Sequence, residues 1–173
     1  MGTPAQPGTE TRQERLQKAL DLAYAYVNPR DRTVSEVRQR LARRGVSDDL
    51  AEEAVQILGE QGFLDDTRFA RLFVADKRTL EEWGSERIRR GLLSRGIDRH
   101  LVDEAVAEAA DADPGEEPQS ELDRALALLR RRFPEPPQDR RDRNRALGIL
   151  LRKGYESELA LDALAAYARG DHD

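Results

Sequence analysis

Residues 41–55 read LARRGVSDDLAEEAV, residues 92–106 read LLSRGIDRHLVDEAV, and residues 150–164 read LLRKGYESELALDAL. In each stretch a Leu stands four residues before a Gly: Leu41 and Gly45, Leu92 and Gly96, Leu150 and Gly154. An apolar residue follows the Gly (Val46, Ile97, Tyr155). A second Leu lies five beyond it (Leu50, Leu101, Leu159), and an Ala four further on (Ala54, Ala105, Ala163). Gly suits the left-handed position that ends a helix, so each stretch reads as helix, turn, helix. The glycines are 51 and 58 residues apart, which leaves room for a third helix per repeat. The spacing predicts an all-α fold: an elongated tandem array of three three-helix repeats.

Working outward, the predicted layout is an N-terminal tail over 1–12, a first repeat over 13–64 and a second over 65–110. An acidic linker follows over 111–119, then a third repeat over 120–169 and a tail over 170–173. The first helix presents Leu16, Ala19, Leu20, Ala23 and Val27 at helical spacing and stops at Asn28-Pro29. Thr33 and Glu36 form a capping box for the second helix. Ser47 is the expected cap of the third, which should bury Leu50, Ala54, Ile57 and Leu58. Asp65 or Asp66 should cap the fourth and Asp98 the sixth. The eighth should carry Ala146, Leu147, Leu150 and Leu151 inward.

The 173-residue chain is 38% apolar and 36% charged, a balance that suits helices with many exposed faces. With no cysteine, disulfides and thiolate metal sites are excluded. No signal-like start and no long apolar run are found, so the chain reads as soluble, cytoplasmic and monomeric, without a membrane partner. His100 and His172 have no companions at metal-ligand spacing. A phosphate-cradling Gly-Lys-Ser or Gly-Lys-Thr loop is lacking, and no serine has a base beside it. The expectation is a protein with no cofactor, no metal and no catalytic residues, and not an enzyme.

The net charge of −5 hides alternating blocks. Six Arg lie between Arg30 and Gly45, and seven acids without a base between Asp48 and Asp66. Five Arg follow between Glu86 and Arg99, and eight acids without a base between Leu101 and Glu121. Nine basic residues then lie between Arg130 and Lys153. A groove-reading helix-turn-helix fails on charge, because the helix after the turn opens with Asp48, Asp49, Glu52 and Glu53 in the first copy. The helix before each turn is basic instead: Arg38, Arg40, Arg43 and Arg44; Arg87, Arg89, Arg90 and Arg95; Arg141, Arg145, Arg152 and Lys153. Solvated faces with local ion pairs account for about half of these. Their recurrence at one repeat position predicts a basic stripe suited to a polyanion, single- or double-stranded DNA included, or to a groove in a large assembly.

The stretch Phe63-Leu64-Asp65-Asp66-Thr67-Arg68-Phe69-Ala70, then Phe73-Val74 and Arg78, resembles the RecX family of bacterial regulatory proteins. So does Trp83-Gly84-Ser85-Glu86-Arg87-Ile88, with Leu92 and Arg95-Gly96-Ile97 after it. The first repeat matches more loosely, through Arg32-Thr33, Glu36-Val37 and Leu41 to Gly45. In the third, Asp139 to Asn144 replaces a recognisable start. The resemblance spans about Lys18 to Tyr167 and implies three tandem three-helix repeats. It also implies binding to the RecA–DNA filament and modulation, usually inhibition, of its ATPase, strand-exchange and coprotease activities in DNA repair and the SOS response. Asp65, Asp66 and Arg68 fall at the joint between repeats one and two, where a salt bridge from Arg87 to Asp65 or Asp66 is slightly favoured over filament contact. A free-standing nucleic-acid-binding protein and a generic helical-repeat scaffold stand as alternatives.

Overall fold

A computed structural model describes residues 10–111 and 120–170. The described residues form nine helices and no strands: α1 (Arg12–Val27), α2 (Val34–Arg43), α3 (Asp48–Glu60), α4 (Asp66–Thr79), α5 (Ser85–Leu93), α6 (Arg99–Asp111), α7 (Glu121–Arg132), α8 (Arg140–Lys153) and α9 (Ser157–Arg169). They make three tandem three-helix repeats. Most of the acidic linker expected over 111–119 and most of both tails lie outside the described residues.

The three glycine turns are built alike. Gly45, Gly96 and Gly154 have φ of 78°, 77° and 88°, the left-handed region where a Cβ is strained. In each, the amide after the Gly donates back to the Leu carbonyl: Val46 to Leu41 at 3.2 Å, Ile97 to Leu92 at 3.4 Å, Tyr155 to Leu150 at 3.1 Å. The Gly amides donate to Ala42, Leu93 and Leu151 at 2.9, 2.9 and 3.0 Å. Two carbonyls left over at each helix end are thereby satisfied. Leu41, Leu92 and Leu150 are fully buried beneath these turns.

The contacts divide the chain into two compact units, one ending at Phe69 and one beginning at Ala70. In the first, α1, α2 and α3 close on Ala19, Ala23, Val37, Leu41, Ala54 and Leu58. Capping boxes open α1 (Thr11 with Glu14) and α2 (Thr33 with Glu36). In the second unit, α7, α8 and α9 pack around Leu128, Leu129, Ala146, Leu150, Ala160 and Ala163. Ile88, Leu92, Val102, Ala105 and Val106 carry the inner faces of α5 and α6.

Three local expectations need correction. Ser47 stands at the N-cap of α3 but makes no capping bond; its hydroxyl donates to Asp49 Oδ1 at 2.5 Å instead. Ile57 is only half-buried, because Leu58 and Val55 hold the inner face of α3. Leu151 is 40% exposed, because Leu150 beside it takes the core position. Asp65 does cap α4, accepting from the Arg68 amide at 2.8 Å, and Asp98 accepts from the His100 amide at 2.8 Å.

Candidate functional site

The basic residues before each turn divide by what holds them. Arg38 on α2 donates to Glu52 on α3 through Nε at 2.5 Å and Nη2 at 2.7 Å. The hydrogen bonds to Glu52 raise the Arg38 pKa, and those from Arg38 hold the Glu52 carboxyl below its usual range. Arg89 on α5 is likewise tied to Asp103 on α6 at 3.3 Å and to Glu86 at 3.3 Å. Arg38 and Arg89 both stand seven residues before their glycine, and Glu52 and Asp103 both seven after. The alternating basic and acidic blocks are thus, at these positions, the two halves of a bridge across the helix pair.

Others are held by rings or carbonyls. The Arg40 guanidinium lies 5.5 Å from the Tyr26 ring centroid and that of Arg95 5.6 Å from Phe73. Arg145 lies 5.9 Å from Phe133. Arg43 donates to Gln39 at 3.3 Å, and Arg90 to the Glu86 carbonyl at 3.3 Å. Arg44 and Arg141 are exposed.

At the joint residues, Asp66 accepts from the Val34 amide, the first of α2, at 2.9 Å. Burial pushes its carboxyl up, against the opposing pull of that amide and of Arg38. Arg68 donates to the Gly62 carbonyl at 3.1 Å. Arg87, expected opposite Asp65 or Asp66, is engaged inside the second unit instead. It donates to the Arg152 carbonyl at 2.9 Å and lies 4.1 Å from the Trp83 ring centroid.

That engagement organises a basic site of the second unit. The α8–α9 turn docks on the start of α5: the Gly84 amide donates to the Lys153 carbonyl at 2.9 Å. The backbones touch, since a Cβ on Gly84 would lie 2.4 Å from the Gly154 oxygen, and one on Gly154 would lie 2.2 Å from Arg87 Cβ. Ser85 donates its amide and hydroxyl to Glu121, the first residue of α7, at 2.7 and 2.8 Å. Glu121 therefore does for α5 what Asp66 does for α2, with a carboxylate at the positive end of a helix. Arg78 lies inside the same unit, donating to the Val106 carbonyl at 3.1 Å; burial pushes it down to about 10, so it stays charged at neutral pH.

Around this joint Arg87, Arg132, Arg152 and Lys153, with Ile149, line a cleft of about 230 Å³. Lys153 Nζ donates to the Glu81 carbonyl at 2.6 Å, and Arg131 pairs with Glu82. Lys77 Nζ lies 4.9 Å from the centroid of the Trp83 ring, the ring that Arg87 also approaches. Three of the four cations were expected to line the stripe. Arg132 was missed, although it closes the run Arg130-Arg131-Arg132 at a helix C-terminus, and Trp83 was given no role. Four cations converging at one cleft suit phosphate groups more than a neutral ligand. Among the described residues no three His, Asp or Glu side chains could hold a metal ion, and no helix is long and apolar enough to cross a membrane.

Comparison with known proteins matches this architecture. Sequence models of the first, second and third three-helix domains of RecX match residues 19–58, 65–106 and 119–164. Regulatory protein RecX of Trichlorobacter lovleyi is 34% identical over 75% of this chain and 82% of its own length. That of Stenotrophomonas maltophilia is 33% identical over 88% of both. The match to the Lactobacillus delbrueckii protein is 37% identical but spans only 37% of that longer chain. The crystal structure of RecX from Lactobacillus salivarius superposes with a TM-score of 0.74 over 91% of this chain and 98% of its own, at 20% identity.

Proposed function

The chain belongs to the RecX family, and from that premise we propose that it regulates the RecA recombinase by binding the RecA–DNA filament. The protein acts as a cytoplasmic monomer without catalytic activity of its own. It lies in the filament groove, spans adjacent RecA protomers, and inhibits ATPase, strand exchange and coprotease activity by hindering filament extension.

The observation that supports this reading best is the cleft of Arg87, Arg132, Arg152 and Lys153. Arg38 and Arg89 already have carboxylate partners, so their charge is largely spent inside their own helix pairs. The exposed cations Arg132 and Arg152 keep theirs for an anionic surface such as filament DNA. The stripe thus narrows from a whole helix face to the joint where α5 meets the α8–α9 turn.

The test is a titration of RecA's DNA-dependent ATPase at substoichiometric ratios, with wild type and the Arg132→Glu, Arg152→Glu double variant. Wild type should inhibit, and the variant should lose about tenfold or more in potency, with the gap narrowing as salt rises. An ATPase rate unmoved by wild type would sink the reading. Binding to naked DNA with a steep salt slope and no effect on RecA would instead make this a free-standing nucleic-acid-binding protein.

A further inference from the structure

The third repeat departs from the other two at one pair of positions. Seven residues before and after the glycine, the first repeat has Arg38 and Glu52 and the second has Arg89 and Asp103, each pair bridged across its helices. The third has Leu147 and Leu161. Leu147 is half-buried and Leu161 is 53% exposed, so the substitution leaves apolar surface open to solvent.

This surface is concave. Leu147, Leu161, Leu164, Ala165 and Ala168 floor a groove of about 610 Å³ between α8 and α9. That volume lies in the range of sites that hold a ligand or a few side chains, roughly 300–1,000 Å³. Arg140 and Arg143, both exposed, stand along the α8 wall with Asn144, and among the described residues no carboxylate lines the groove. Asp139, the N-cap of α8, is taken up locally, accepting from the Asp142 amide at 2.7 Å.

We propose that this groove seats an acidic amphipathic helix of a protein partner. A groove between two helices accepts a third helix through apolar side chains at i, i+3 or i+4 and i+7. The exposed leucine supplies the apolar anchor, and the Arg wall selects carboxylates on the flank of the incoming helix. A nucleic acid fits less well, because its phosphates would face an apolar floor. This chain's own acidic stretch over 111–119 carries no Leu, Ile or Phe to fill the floor. The proposal does not rest on the RecA reading, and its readout is peptide binding with no RecA present.

The probe is a fluorescein-labelled helical peptide with leucines at i, i+3, i+4 and i+7 and glutamates on its other faces, followed by anisotropy. Its counterpart carries lysines in place of the glutamates. The key variant is Leu147→Arg with Leu161→Asp, which gives the third repeat the ion pair of the other two and should keep the fold. Wild type should bind the acidic peptide, the double variant about tenfold or more weakly, and the basic peptide should bind neither. Equal binding of both peptides, or equal binding by both proteins, overturns the proposal. So does sedimentation showing a wild-type dimer that the variant lacks, since the groove would then seat a second copy of this chain. Should the double variant fail to fold, Arg140→Glu with Arg143→Glu replaces it, both sites being exposed. Unchanged affinity for the acidic peptide there also overturns the idea.

Discussion

The first and third repeats share a backbone turn and differ in what crosses it. In the first, Arg38 and Glu52 bridge α2 and α3 over solvent. In the third, Leu147 and Leu161 occupy the same two places, and a groove opens beside them. Beneath both, a Leu is fully buried four residues before a left-handed Gly. The buried layer therefore specifies the fold, and the rim is free to carry either charge or apolar surface. A second difference lies under the turns. A Cβ on Gly45 would meet nothing within 4 Å, whereas one on Gly154 would collide with the backbone of Arg87.

That second difference should give the largest effect. Gly45→Ala faces only the strain of its positive φ and should cost on the order of 1 kcal/mol. Gly154→Ala adds a backbone collision and should cost about 3 kcal/mol or more, with the α5 joint loosened. Urea unfolding of both variants checks the ranking. Equal costs would mean that the α8–α9 turn does not bear on α5 as described.

The carboxylates at the helix starts come next. Glu121→Ala removes two hydrogen bonds from Ser85 and should cost about 1–2 kcal/mol. Asp66→Ala should cost less, about 1 kcal/mol, because burial already works against the charged form of Asp66. The sign of its pH effect follows. A carboxyl raised on folding binds its proton more tightly in the folded state. The contribution of Asp66 is then greatest below its unfolded pKa and is lost as pH rises through its folded pKa. Thermal melts of wild type and Asp66→Asn across pH 4 to 7 should converge towards the acidic end and separate in favour of Asn above it. A flat difference across that range would show that burial does not govern Asp66.

The smallest effect sharpens the original comparison. Arg38→Ala breaks a bridge whose two ends are both exposed, so it should cost at most about 0.5 kcal/mol and less in high salt. A cost several times larger, measured by denaturant titration, would make the bridge part of the fold and undo the division into buried layer and rim.

Much of the fold was legible because its signals are local. Gly45, Gly96 and Gly154 punctuate a 3.6-residue pattern, and a glycine at φ near +80° is a property of the turn alone. The Thr33–Glu36 box needs only three residues of chain. Even Ser47 misled for a local reason: its hydroxyl met Asp49 two residues on before it could serve the helix. The site was less legible. Composition marked Arg38 and Arg89 as equal to Arg152, but the first two are bound to the neighbouring helix.

By itself the sequence determined nine helices among the described residues, the left-handed stops at Gly45, Gly96 and Gly154, and the Leu–Ala layer that closes each repeat. Those features follow from helical periodicity and from the conformational freedom of glycine, both read over a turn or two of chain. The tertiary structure alone decided which cations are tied to a carboxylate of the neighbouring helix. It also brought Ser85 to Glu121, Gly84 to Gly154 and Arg87 to the Arg152 carbonyl, pairs 36 to 70 residues apart in sequence. No periodicity encodes such pairs, because they depend on how one finished helix pair packs against another.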